Sequence, residues 1–449
     1  MKINLRIPGI WVALFMMMAA TGAFAQQGTE KTDIQYNWAQ WRGPDFNGNA
    51  PWGNPPIAFG ETSNIKWKTE IPGKGHATPI IWNDQIIILT AVPTEKKATK
   101  PVEEGQGERR GPPSAQTDLV HRFVVLSVDR GTGAIRWETT VREELPLEGT
   151  HNLGSWASNS PVTDGEHIYA FFGSRGLYCL DFDGNVIWQK DFGQMKITMD
   201  FGEGATPTVY NDRVVMVWDE EGQSFITAMN KKTGEEIWRV NRDEVTSWAT
   251  PRVIEVNGRA QVITSATTRI RSYDLETGEL IWECAGMTRN VIPSPVYANG
   301  IVYLMSGFRG NALLAIDLAR AKGDITNTDA ILWKYDQFAP YTPSPVLMDG
   351  KLYFLRANNP ELTCLDAADG KINYSMQKIQ GFVNIYSSPT GVADRLYLAS
   401  EGTVVVVKAG PEFRILATNK LDDNFHASPV ILGDELYLRG FRHLYCFGK

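Results

Sequence analysis

The sequence predicts an all-β chain folded as one eight-bladed β-propeller of four-stranded antiparallel blades, and three observations carry that prediction. A Ser/Thr-Pro pair recurs eight times. Most of those pairs are followed by two tight turns and then a large aromatic residue. The two ends of the chain each hold part of one unit, so the ring closes by pairing an N-terminal strand with C-terminal strands.

The pairs are Thr78-Pro79, Ser160-Pro161, Thr206-Pro207, Thr250-Pro251, Ser294-Pro295, Ser344-Pro345, Ser388-Pro389 and Ser428-Pro429. They lie 40 to 50 residues apart except for one interval of 82, which contains an insertion. Units of this length with several short strands are propeller blades. Pro opens the innermost strand, A, where its missing N–H costs no ladder bond.

Strands A and B are joined by turns such as Asp164-Gly165, Asn299-Gly300 and Asp349-Gly350, which suit hairpins that need positive φ. Strands C and D are joined by Asp129–Gly133, Asn230–Gly234, Asp274–Gly278 and Asp366–Gly370. Four residues beyond the Gly stands Trp137, Trp238, Trp282 or Tyr374, and Gly184 to Trp188 repeats the interval. A column of small residues on strand C (Ser127, Cys179, Ala228, Ser272, Ala315, Cys364, Cys446) leaves room for that aromatic. Six of the 14 Trp, at 67, 137, 188, 238, 282 and 333, are thereby assigned to fastening blades.

The final unit ends after its third strand, and Asn64 to Thr69 forms an orphan fourth strand ahead of the first Pro. Pairing them closes the ring and removes an exposed sheet edge. Three of the four Cys fill the small column in different blades and Cys284 follows Trp282, so buried packing rather than disulfides is expected.

Lys2 and Arg6, an apolar run over 10–20 and Ala23-Phe24-Ala25 predict a cleaved signal peptide, 1–25, too short to span a bilayer. No Cys stands near the cleavage point to carry a lipid. A periplasmic or secreted protein is expected, without a transmembrane segment once the signal is gone. Loss of the leader shifts net charge from −7 to −9, which argues against a nucleic-acid partner. Residues 26–63 are read as an N-terminal extension and 64–449 as a single propeller domain. The charged stretch 93–116 is read as a flexible insertion in blade one lying over the loop-rich face.

Ser272 to Trp282, and Ala228 to Trp238 with Asn230 in place of Asp, resemble the tryptophan-docking repeat of the pyrroloquinoline-quinone (PQQ) propeller family, and the resemblance spans 64–449. Trp38-Ala39-Gln40-Trp41-Arg42-Gly43-Pro44 resembles the start of secreted PQQ-repeat proteins. The resemblance implies eight blades and two alternative roles. One is the cofactor-free interaction scaffold of the BamB type; the other is a quinoprotein alcohol or sugar dehydrogenase with PQQ and calcium in the funnel. The chain lacks the adjacent cysteines and the CxxCH segment of many such dehydrogenases, and none of their catalytic residues aligns to a position here. It also lacks the lipidated Cys of the BamB lipoprotein.

Functional residues are expected where the repeat varies. Two positions before each Ser/Thr stand His76, Ser158, Gly204, Trp248, Ile292, Thr342, Tyr386 and His426, in loops that ring the channel mouth. Ring closure makes His76 and His426 neighbours. No carboxylate or third His stands at a matching position except Glu203, one residue farther out in blade three, so they are read as polar lining rather than a metal site. Loops between strands B and C add Arg175, Arg269, Arg309, Arg356, Arg439 and Arg442, beside Trp156, Trp248, Tyr341 and Tyr386. Guanidinium and aromatic groups together suit a planar or anionic ligand; the plainer alternative pairs those arginines with Asp219, Glu220, Glu221 and Glu401. The expectation is a non-catalytic, monomeric scaffold with no cofactor, binding a protein, peptide or envelope glycan, with the PQQ dehydrogenase as the alternative.

Overall fold

The computed structural model describes Met1 and residues 36–98 and 114–449; the expected signal peptide and the middle of the 93–116 insertion lie outside the described residues. Eight antiparallel sheets follow one another around a channel. Blade one comprises Ile80–Trp82, Gln85–Lys97, Leu119–Asp129 and Ile135–Glu144. Blade eight comprises Val430–Leu432, Glu435–Arg439 and His443–Phe447, and Ile65–Glu70 supplies its outer strand antiparallel to His443–Phe447. The ends of the chain therefore close the ring as the orphan strand requires.

The repeated hydroxyl has a structural reason. The backbone N–H of each Ser/Thr donates to the side-chain oxygen of the corresponding residue in the next blade: Thr78 to Ser160, Ser160 to Thr206, and so on around to Ser428, which returns to Thr78, at 2.9 to 3.2 Å. The result is a closed circle of eight hydrogen bonds lining the channel. An aliphatic residue there would leave the preceding blade's buried N–H unpaired.

The small column faces the docking aromatics directly. Ser127 pairs with Trp137, Cys179 with Trp188, Ala228 with Trp238, Ser272 with Trp282, Ala315 with Trp333, Cys364 with Tyr374 and Cys446 with Trp67. The indole N–H then reaches the next blade: Trp67 to the Arg130 carbonyl, Trp137 to Phe182, Trp188 to Lys231 and Trp238 to Leu275, at 2.8 to 3.0 Å. Gly278, at φ +76°, lies on the Trp238 face, where a Cβ would come within 2.8 Å of the ring. Trp282 departs from this pattern because blade five has no Thr-Gly turn. An added strand, Gly323–Asp324, runs parallel to strand D of blade four instead, and the indole donates to Gln261. All four cysteines are free and buried, and burial pushes the thiols of Cys179, Cys364 and Cys446 up to about 12.

The expected N-terminal extension, where described, is built into the ring. Trp38 is buried and bridges to Ile81, and Asn49–Ala50 adds a parallel strand to blade seven. Between them the fully buried Arg42 reaches into the channel and donates to the carbonyls of Pro345 and Pro389. Pro residues that open strands A leave carbonyls facing the channel, and this guanidinium answers two of them. Residues 36–59 thus form a strap across the face that carries the A–B and C–D turns. The flexible-insertion reading also changes at its edges. Strand B continues through Lys97, and Ser114–Ala115 pairs with Thr150–His151, because the neighbouring strand C is long enough to hold it.

Replacing Trp238 with Ala is expected to cost about 3–5 kcal/mol of unfolding free energy, read from urea denaturation. Its exposed neighbour Ile237, replaced by Ala, is expected to stay within about 0.5 kcal/mol of the parent.

Candidate functional site

The channel opens at the face bearing the loops into strands A and between strands B and C. There it widens into a cavity of about 510 Å³. All eight residues of the variable column, from His76 to His426, line it. They do so because each lies two positions ahead of the hydroxyl ring, on the last extended residues before strand A. Five ring hydroxyls, of Thr78, Ser160, Thr206, Ser388 and Ser428, reach its floor, and Trp41 of the strap closes it with its indole N–H 3.5 Å from the Ser428 oxygen.

One wall is imidazole. The rings of His76 and His426 lie 4.8 Å apart, each 4.8 Å from Phe441, and Tyr386 is 4.9 Å from His426. His426 Nδ1 is 3.0 Å from the Leu153 carbonyl, while His76 Nε2 is buried without a hydrogen-bond partner. Burial holds His426 down to about 4, and burial with the adjacent His426 and Lys74 holds His76 well below the ordinary imidazole range. Both rings are neutral at neutral pH. His151 also lines the cavity, yet the three imidazoles do not converge on one point. The group of three metal-type side chains among the described residues is Asp164, Glu166 and His167, at the A–B turn of blade two, where Asp164 instead caps the turn and pairs with Lys231.

The opposite wall is aromatic. Trp248 donates to the Gly202 carbonyl at 2.7 Å, which fixes its plane, and Gly204 leaves room beside it. Phe308 and Tyr341 stack at 4.7 Å. Among the described residues Glu203 provides the one carboxylate on the lining. Its two oxygens accept from the Ser174 hydroxyl at 2.5 Å and the Ser174 N–H at 2.7 Å. Burial raises this carboxyl to about 7, against the pull of the Ser174 bonds.

The expected ring of arginines does not form. Of those residues only Arg309 lines the cavity, exposed and lying over Phe308. Arg175 is buried in a short turn and points away, toward the Leu145 carbonyl and Glu144. Arg269 pairs with Glu283 and Asp324 of the added strand, Arg356 with Glu361 and Arg442 with Asp422. Arg439 is buried and donates to the Gly440 carbonyl. The acidic partners also differ from those expected: Asp219 holds the buried Arg242 at 2.8 Å, Glu220 and Glu221 accept from neighbouring backbone and hydroxyl groups, and Arg175, Arg269, Arg356 and Arg442 lie beside other carboxylates. Trp156 likewise misses the cavity. It lies four positions before Ser160, one layer back, donating to the Glu148 carbonyl and packing on His121. Trp41, Phe308 and Phe201 join the lining without having been singled out. Trp41 arrives only because the strap crosses the channel.

The donor set bears on PQQ and calcium. Calcium takes about six to eight oxygen ligands, several of them carboxylates. The lining offers one carboxylate already engaged by Ser174, and Asn358 stands three blades away from it. These residues do not fit the group, and no chemical step is assigned to it.

A family model described as outer membrane protein assembly factor BamB matches residues 121–376. The outer membrane protein assembly factor BamB of Yersinia pestis is 24% identical over 330 residues, covering 70% of this chain and 77% of that protein. The crystal structure of BamB from Moraxella catarrhalis superposes with a TM-score of 0.50 at 13% identity, over 75% of this chain and 96% of that one. A europium-containing methanol dehydrogenase superposes with a TM-score of 0.63 at 10% identity, over 92% of this chain and 98% of that one. Quinohemoprotein alcohol dehydrogenase from Comamonas testosteroni gives 0.62 at 11%, over 92% and 81%. These structural likenesses show a shared fold.

The raised Glu203 carboxyl has a pH consequence. The folded state holds its proton above the ordinary value of 4.5, so this group lowers stability as pH rises from about 4.5 through about 7. The depressed imidazoles act in the opposite direction. Comparing Glu203→Gln with the parent isolates the carboxyl: the variant is expected to gain in melting temperature relative to the parent between about pH 5 and about pH 8, measured by calorimetry.

Proposed function

The chain belongs to the family described as outer membrane protein assembly factor BamB, and from that premise we propose that it is a non-catalytic scaffold of the cell envelope that binds a protein partner at its loop-rich face. The observation that carries this reading is an apolar rim. Leu153, Met199, Val245 and Val383, in the loops leading into blades two, three, four and seven, are 36 to 75% exposed, and Leu153 and Met199 line the cavity itself. Apolar side chains grouped at the mouth of a recessed cavity mark an interaction surface, whereas scattered single ones do not. The same loops vary in sequence while the hydroxyl ring beneath them stays constant, which separates a recognition surface from its support. Met199 and the next residue, Asp200, both sit in the left-handed backbone region, so this loop is held in a strained form at the rim. The expected signal peptide supports a location in the periplasm or outside the cell. The assembly role named for the Yersinia pestis relative supplies the class of partner, a protein of outer membrane assembly.

A photo-crosslinking residue placed at Val383 or Met199 of the full chain, in its own envelope, is expected to give adducts that mass spectrometry identifies as outer membrane assembly proteins. The same residue at Asp183, in a C–D turn on the other face, is expected to give none. Equal capture at both faces, or none at the rim, would overturn the reading. A dye-linked alcohol or sugar oxidation assay with PQQ and calcium added is expected to show no turnover, and sustained turnover would favour the dehydrogenase.

A further inference from the structure

We infer that the cavity is a binding site for a neutral pyranose sugar. The inference goes beyond the protein-binding rim, which lies above it, and rests on how the lining distributes donors, acceptors and apolar faces.

The floor donates. Each ring hydroxyl already accepts the N–H of the preceding blade, so its own proton remains to be given, and Thr78, Ser160, Thr206, Ser388 and Ser428 line the chamber. The imidazole wall accepts. A carbonyl oxygen has no proton, so the contact between His426 Nδ1 and the Leu153 carbonyl puts the ring proton on Nδ1 and leaves Nε2 a free lone pair. His76 hydrogen-bonds the Gly154 backbone and its Nε2 is enclosed, so the accepting nitrogen that this wall offers is His426 Nε2. The remaining walls are flat. Trp248 is locked in plane, and the Phe308–Tyr341 stack faces the same space.

A pyranose matches each of these. Every hydroxyl on the ring both donates and accepts, which a hydroxyl floor and an imidazole wall together require. The ring's C–H faces lie against aromatic planes. The volume of about 510 Å³ falls within the range of small-molecule sites, roughly 300–1,000 Å³. Charged ligands match less well. Among the described residues a polyanion finds one guanidinium, Arg309 at the mouth, and meets Glu203 and two neutral imidazoles inside. A cation meets a floor of hydroxyl protons.

The test uses the purified mature chain and calorimetric titration with glucose, galactose, N-acetylglucosamine and their methyl glycosides, with sorbitol and glucuronate as comparators. Saturable one-to-one binding of at least one pyranose is expected, with sorbitol and glucuronate weaker by about tenfold or more. Trp248→Ala is expected to weaken that binding about tenfold or more, as is His426→Leu should the Trp variant fold poorly, while Arg309→Ala stays within about twofold. A methyl glycoside that binds as well as the free sugar identifies a glycan end, and one that is excluded identifies a free sugar. No saturable binding of any pyranose, equal binding of sorbitol or glucuronate, or affinity unchanged in both cavity variants would overturn the inference. None of these outcomes touches the crosslinks at the rim, so the two readings fail separately.

Discussion

Eight backbone N–H groups, each held by a hydroxyl on the next blade, form the interaction on which the rest of this molecule depends. They sit where strands A converge around the channel, and all eight Ser/Thr residues are buried. An unpaired N–H there costs about 1–3 kcal/mol, and the cost would recur at every blade. Because each hydroxyl serves its neighbour, the circle is complete only when blade eight meets blade one. Closure by Ile65–Glu70 and the Ser428–Thr78 bond are two parts of one event.

Farther out, the docking aromatics repeat the same logic with apolar surface. A small residue on strand C admits an indole, and at Trp67, Trp137, Trp188 and Trp238 the next blade covers the indole with a glycine turn and accepts its N–H. Stability is thereby placed between blades rather than within loops. The face at the channel mouth is released from structural duty, and residues two positions ahead of the ring can differ from blade to blade. Imidazoles gather where the ring closes, Trp248 stands in blade four, and Glu203 is held by Ser174 in the neighbouring blade. The floor belongs to the scaffold and the walls to recognition, so a single cavity combines uniform hydroxyls with individual side chains.

The legible part of this site is the part that follows the repeat. A fixed offset from Ser/Thr-Pro is a fixed direction in space, so the whole variable column reaches the cavity, and ring closure brings His76 to His426. Arginines on the B–C loops obey no such constraint. Their long side chains turn toward whichever carboxylate a neighbouring strand offers, as Arg269 does toward Glu283 and Asp324. Trp156 shows how strict the offset is: two residues farther from the ring, it belongs to a different layer.

Periodicity alone determined the number of blades, the shared eighth blade, the small residues beneath the aromatics and the column at the mouth, because each is a local pattern repeated at a constant spacing. Tertiary structure decided what depends on contacts between distant segments. The strap sends Arg42 to the carbonyls of Pro345 and Pro389 and sets Trp41 as a floor, and the added strand at Gly323–Asp324 covers Trp282 in place of a turn. These segments occur once, so no spacing announces them. Their positions follow from buried carbonyls and sheet edges that exist only after the ring has closed.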